Sequence, residues 1–321
     1  MRSALLWLVL GCLRTGWCAD APLDLRLENL TVMPSTGPVV NAWARNATDA
    51  ELTTTLRARW PAGWQVTPAE HPLRLEPGQV ARVAYALERA ADREGNRYEV
   101  TFEARVGSKL VTVPQTIVVA TAPSLKPRCD GQLDDWRDAV PIAFETGGRA
   151  TTVLMCWNRE RVGLAVRVHE DALGPGDAVQ FALAPARGKR WEFLVVAPNQ
   201  AYLLLKPTDD PALTEQARPL APLACAEVEA AVTRAGQETC YEVLVPTALV
   251  PELRPTTGRL FRCSVLVHDR DGTGLRDLGS VMNLWPTQRQ ARSWCRWPGA
   301  AFGTPLPFDP VAEFGFSSSI H

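Results

Sequence analysis

Asp269-Arg270-Asp271-Gly272 carries the plainest ligand chemistry in the chain. Two carboxylates on a glycine turn offer hard oxygen ligands to a cation such as calcium. An EF-hand loop needs more ligands and a closing Glu, which are absent, so Asp269 and Asp271 offer a partial oxygen site. The competing reading is a solvated turn between strands. His169-Glu170 and His268-Asp269 each end an apolar alternating run in the same way. Placed on one rim, the two pairs would suit a metal; as ordinary strand ends they would do nothing. Six cysteines, Cys129, Cys156, Cys225, Cys240, Cys263 and Cys295, lie in the second part of the chain. An even set in an exported chain predicts up to three disulfides, in pairings the spacing leaves open. Buried free thiols are the alternative. No Cys-x-x-Cys pair exists, which argues against a zinc ribbon or finger.

Catalysis has little to stand on. The chain has no Gly-x-Ser-x-Gly elbow, no His-Glu-x-x-His and no phosphate loop. A glycosidase carboxylate pair is defined by its separation in space, and chain order singles none out. The 34 basic and 35 acidic residues leave a formal net charge of -1 and no basic block, so the footprint of nucleic-acid binding is missing. Eleven tryptophans are many for 321 residues. Some belong in cores, but an indole face also stacks on the C–H side of a sugar ring.

These residues need a scaffold, and its organising stretch is Cys129-Asp-Gly-Gln-Leu-Asp-Asp-Trp136. Asp130-Gly131 favours a tight turn. Leu133 and Trp136, three apart on one helical turn, face the same way and form a plug for the end of a sandwich. Before it, residues 1–19 read as an export signal: Arg2, an apolar run from Ala4 to Leu10, then small residues from Gly16 to Ala19. That run is too short to span a bilayer, and the expected location is secreted or periplasmic, with no membrane association of the mature form. Residues 20–122 alternate in short runs, with Leu23, Leu25 and Leu27, then Thr53 to Trp60, Arg82 to Leu87, Tyr98 to Val106 and Leu110 to Val119. Such spacing predicts a β-sandwich. Pro123 and Pro127 mark 123–127 as a linker. Over 128–316 the alternation resumes at Val162 to Val168, Val179 to Leu183, Phe193 to Val196, Tyr202 to Leu205, Val228 to Val232, Tyr241 to Val245 and Phe261 to Val267. The whole chain therefore reads as all-β, two tandem sandwiches.

Pro61-Ala62-Gly63-Trp64-Gln65-Val66 followed by Leu75-Glu76-Pro77-Gly78-Gln79 resembles the immunoglobulin-like domain that accompanies NPCBM and α-galactosidase modules. That resemblance implies a spacer and no activity. Asp130-Gly131-x-Leu133-Asp134-x-Trp136, Cys156-Trp157-Asn158-Arg159-Glu160, Gly176-Asp177-Ala178-Val179-Gln180-Phe181, Tyr241-Glu242-Val243-x-Val245-Pro246 and Val265-x-Val267-His268-Asp269-x-Asp271-Gly272 follow in order, with a closing Ala301-Phe302-Gly303. Together they are similar to family 9 carbohydrate-binding modules, a jelly-roll-like sandwich related to DOMON domains. The resemblance implies an exported, non-catalytic glycan or polysaccharide binder, associated with a glycoside hydrolase and carbohydrate catabolism, with structural calcium in some members.

In that family two Trp faces grip a terminal sugar. The first clamp position here is Leu173-Gly174-Pro175, without an aromatic. Trp297 and Trp294 are available for the second. Gln180 stands where sugar-binding members carry Glu, and the family's Arg on the next strand is replaced near Phe193 or Leu194. The resemblance thus implies carbohydrate contacts at Trp297, Trp294 and Gln180. The departures favour an alternative, a structural or protein-interaction module that keeps the fold and has lost the sugar site. Trp157 and Trp285 are expected in the core.

Overall fold

The computed structural model describes residues 21–207, 223–282, 294–302, 306 and 313–318. The expected signal at 1–19, Trp285 and Gly303 lie outside them. The described residues form an all-β architecture, with 3-10 turns as the only helical pieces among them.

In chain order the strands are β1 (Leu23–Leu27), β2 (Val39–Asn46), β3 (Leu52–Arg59), β4 (Gln65–Thr67), β5 (Glu70–Leu75), β6 (Val80–Arg89), β7 (Tyr98–Val106) and β8 (Lys109–Ile117). There follow β9 (Thr121–Ala122), β10 (Ile142–Thr146), β11 (Arg149–Trp157), β12 (Arg161–His169), β13 (Ala178–Pro185), β14 (Trp191–Val196) and β15 (Gln200–Leu205). The last are β16 (Leu223–Ala224), β17 (Glu229–Ala235), β18 (Glu238–Pro246), β19 (Leu260–Asp269), β20 (Gly274–Asp277) and β21 (Glu313–Phe316).

Two four-stranded sheets, β1-β2-β6-β4 and β5-β3-β7-β8, bury one apolar cluster between them. The alternation in β7 shows why. Tyr98, Val100, Phe102 and Ala104 are buried while Glu99 and Glu103 point away, so the strand has one inward face. Leu25, Tyr85, Leu87 and Leu56 meet them from the other strands.

A five-stranded sheet, β10-β11-β12-β18-β17, faces an eight-stranded one, β16-β15-β14-β13-β19-β21-β9, with β20 paired to β19. Between them lies a second cluster that includes Phe181, Phe193, Phe261, Phe314, Tyr241 and Trp157. All eight residues of β13 are buried, which means that both faces of this strand are covered.

Residues 117–122 serve both clusters in turn. Ile117 and Val119 sit in the first, and Val118, Ala120 and Ala122 sit in the second. Strand β9 pairs in parallel with β21 through Thr121 and Ala122. Asn96 locks the crossing point: its amide Nδ2 donates to the carbonyls of Val119 and Pro141, both at 2.9 Å, and its Oδ1 accepts from Val119 N at 2.8 Å. Beyond β9, Pro123 O accepts from Trp157 N at 3.0 Å and Leu125 N donates to Trp157 O at 2.9 Å.

Two expectations are corrected. Trp136, on the 3-10 turn Asp134–Trp136, does not plug the end of a sandwich. It covers the outward face of the five-stranded sheet, packing with Leu154, Cys156, Ala165 and Leu244. The reason is Glu242 on β18, which turns its carboxylate outward and accepts from Gly131 N at 2.8 Å, Asp130 N at 3.0 Å and Trp136 Nε1 at 2.8 Å. Gly131 adopts φ 79°, and a side chain there would stand 2.1 Å from Thr233 Cγ2, so this turn accepts only glycine.

The expected disulfides are absent: all six cysteines are free thiols. The strands separate them. Cys225 and Cys263 point into the inner cluster, Cys156 outward from the five-stranded sheet, and Cys295 onto the outward face of the eight-stranded one. Cys129 Sγ donates to the Glu242 carbonyl instead. Burial pushes the Cys129 and Cys240 thiols up to about 12, where the reactive thiolate is scarce at neutral pH.

Candidate functional site

Gln180, Trp294 and Trp297 are brought together on the outward face of β13, β14 and β19. In register, Gln180 of β13 faces Leu194 on β14 and Leu266 on β19. The segment 294–302 lies over this face as a strap. Trp297 packs on Leu194, Leu204 and Leu205; Trp294 packs on Ala182 and Leu266. The strap can turn over the Trp297 indole because residue 299 is glycine; a Cβ there would sit 1.9 Å from Cζ3.

The amide of Gln180 is fully engaged. Ala301 N donates to His268 Nδ1 at 3.0 Å, which leaves the ring proton on Nε2. His268 Nε2 then donates to Gln180 Oε1 at 3.0 Å, and Trp297 Nε1 donates to the same oxygen at 3.2 Å. Gln180 Nε2 donates to Glu192 Oε2 at 3.1 Å and to the Cys295 carbonyl at 2.9 Å. An amide has two acceptor and two donor positions, and here all four are filled. Glu192 takes Cys295 N at 3.0 Å on Oε2 and Arg190 Nε at 2.5 Å on Oε1. Burial pushes His268 down to about 3, with Arg270 nearby adding to the effect, so the ring stays neutral.

Exposure decides what this constellation offers. Gln180 is 0% exposed, Trp294 2% and Trp297 8%. Neither indole presents an open face. Sequence reasoning missed Glu192 and Cys295 as partners of Gln180, and Arg190 as the partner of Glu192. One signal was present: Arg190 and Glu192 flank Trp191 at the start of an otherwise apolar strand, where a lone carboxylate needs a buried partner.

The acidic loop lies at the end of β19. Asp177, Asp269 and Asp271 each bring a carboxylate oxygen within 4.8 Å of the others. Asp177, missed in sequence, accepts Gly174 N at 2.5 Å and Arg270 N at 3.1 Å. Burial is the largest influence on its carboxyl and raises it. Asp269 Oδ2 is held by Arg276 Nη2 at 2.5 Å and by Thr273 N and Oγ1 at 3.0 and 2.8 Å. Burial works to raise Asp269, but the Arg276 and Thr273 bonds outweigh it and hold the carboxyl low. An oxygen-only set of this kind fits a hard cation. Glu170, also buried, adds a carboxylate at this end whose Oε2 has no hydrogen-bond partner. Burial, with Asp177 and Asp269 contributing, pushes it up to about 7.

The two histidine–acid pairs do end β12 and β19. They do not form a joint histidine site: the His268 ring is committed to Ala301 and Gln180, and among the described residues the cluster suited to a metal contains no histidine.

No family model matches the sequence, and no curated protein matches it. Among solved structures, a family 9 carbohydrate-binding module from Caldicellulosiruptor kristjanssonii in complex with cellotriose is similar over 47% of this chain and 76% of its own, at 14% identity and a TM-score of 0.35. The same organism's family 9 module in complex with glucose is similar over 51% and 81%, at 13% identity and a TM-score of 0.35. The YadV chaperone is similar over 80% of this chain and 98% of its own, at 10% identity and a TM-score of 0.25.

Proposed function

We propose that this chain is a non-catalytic recognition protein acting outside the cytoplasm, with the Gln180 face serving as a structural or protein-interaction surface. One observation carries the reading: the Gln180 amide spends every bonding position within the chain. A polar group that orients a sugar keeps capacity for its hydroxyls. Lifting the strap would leave Gln180, Glu192 and His268 short of partners in apolar surroundings, at about 1–3 kcal/mol for each orphaned group. Hydrogen exchange at Cys295 and Ala301 tests this. Both amides should stay protected whether or not a panel of plant and microbial glycans is added. Deprotection on adding a glycan overturns the reading.

A second reading is glycan binding, in a carbohydrate-degrading setting beside a glycoside hydrolase. It is supported by the five ordered motifs of the sequence. A glycan array on the full chain tests it; silence across the array sinks it. In either reading we infer that Asp177, Asp269 and Asp271 hold a hard cation such as calcium in a structural role, with Arg276 already balancing the Asp269 carboxylate.

A further inference from the structure

The outward face of the β1-β2-β6 sheet carries a different constellation. Arg26, Trp43 and Arg82 stand in one register row across the three strands. Glu28 sits beside that row: Oε1 accepts from Trp43 Nε1 at 2.6 Å and Oε2 from Asn41 Nδ2 at 2.8 Å. The Arg82 guanidinium lies 5.4 Å from the Trp43 ring centroid and 3.8 Å from Glu28. Leu260, Met282 and Glu313 from the second part of the chain form the facing wall, and the cleft between holds a cavity of about 280 Å³.

The chemistry of the lining selects a class of occupant. Arg26 and Arg82 balance Glu28 and Glu313, so a free ion of either sign gains no net attraction. An apolar ligand would strand these charges without water. A hydroxyl both donates and accepts, so a ring bearing several can meet guanidinium and carboxylate in turn. An indole beside them supplies apolar contact, as small-ligand sites do. The volume is near the lower end of the range for such sites, about 300 Å³ upward. Glu28 and Glu313 both line the cleft, so its carboxylates come from both parts of the chain.

We propose that this cleft, and not the strapped face, receives a neutral, hydroxyl-rich ring at the end of a glycan, with Trp43 as its apolar wall and Glu28, Arg82 and Glu313 meeting the hydroxyls. The proposal rests on the glycan-binding reading above and gives it a site in the first half of the chain.

The test uses the full chain on an array of neutral and uronic-acid-bearing oligosaccharides, then calorimetry with the neutral glycan that binds best. Trp43→Ala should weaken that binding at least tenfold. Arg82→Glu, at a half-exposed side chain, should do the same by removing the guanidinium donor and setting a second carboxylate beside Glu28, and it keeps the test readable if Trp43→Ala fails to fold. Neutral glycans bound with full affinity by both variants overturn the cleft and leave glycan recognition standing. So does binding lost in Trp297→Phe but kept in Trp43→Ala. Binding confined to uronic-acid glycans overturns the neutral-ligand assignment. Failure of the unaltered chain to bind any glycan overturns the cleft together with the reading beneath it.

Discussion

The indole Nε1 of Trp136 donates to Glu242 Oε1 at 2.8 Å, across 106 residues of chain, with both groups buried. This bond and the two backbone N–H groups of Asp130 and Gly131 on Oε2 pin the organising turn to the outward face of the five-stranded sheet.

Glu242→Gln should therefore be costly despite its similar shape. Three donors converge on the carboxylate, and glutamine must turn its own NH2 toward at least one of them. The expected loss is about 2–3 kcal/mol, the cost of a buried donor left unmatched. Urea denaturation followed by tryptophan fluorescence measures it, and an unchanged midpoint would show that the turn is held by packing alone.

Gln180→Glu would put a carboxylate where the buried amide now stands. Here it should destabilise the protein by about 3 kcal/mol or more, because it sets a second carboxylate beside buried Glu192, now 3.1 Å from the amide nitrogen. The double variant with Glu192→Gln should recover most of that loss. If the single variant is as stable as the parent, the strap network is not what holds residue 180.

Glu170 gives the fold a pH dependence. Its carboxyl is raised to about 7 in the folded chain, above the ordinary 4.5, so between these values the native state holds a proton that the unfolded chain has released. Its contribution is full below about 4.5 and is lost as pH rises through about 7. Glu170→Gln should flatten the slope of stability over that window, a change of roughly 1–3 kcal/mol across it. Parallel curves for variant and parent in thermal melts from pH 4 to 8 would rule this out.

Calcium should raise the melting temperature of the intact chain by a few degrees, through binding to the native state alone. Asp271→Asn, at the exposed member of the cluster, should abolish that rise and leave the melting temperature without calcium nearly unchanged. Equal rises in both proteins would place the cation elsewhere.

Much of the fold was legible because most strands bury one face. Tyr98–Val106 was read to its ends from alternation alone. Strand β2 was not read, since its outward positions carry Val39 and Trp43, which blur the alternation against Val40, Ala42 and Ala44. Motif order carried the resemblance that grouped Gln180 with the late tryptophans. It could not foretell their burial, which depends on Gln180 meeting Trp297 across 117 residues and on Glu192 filling the space behind it. The cysteines misled for a related reason. An even count says nothing of which face each thiol takes, and the register assigns them to different faces.

The stretch from Ile117 to Ala122 gives successive side chains to opposite partners. Such a joint behaves as a shared wall and not as a tether. Severing the chain within it would open both interiors at once, and neither half can swing away from the other without first tearing out part of its own lining.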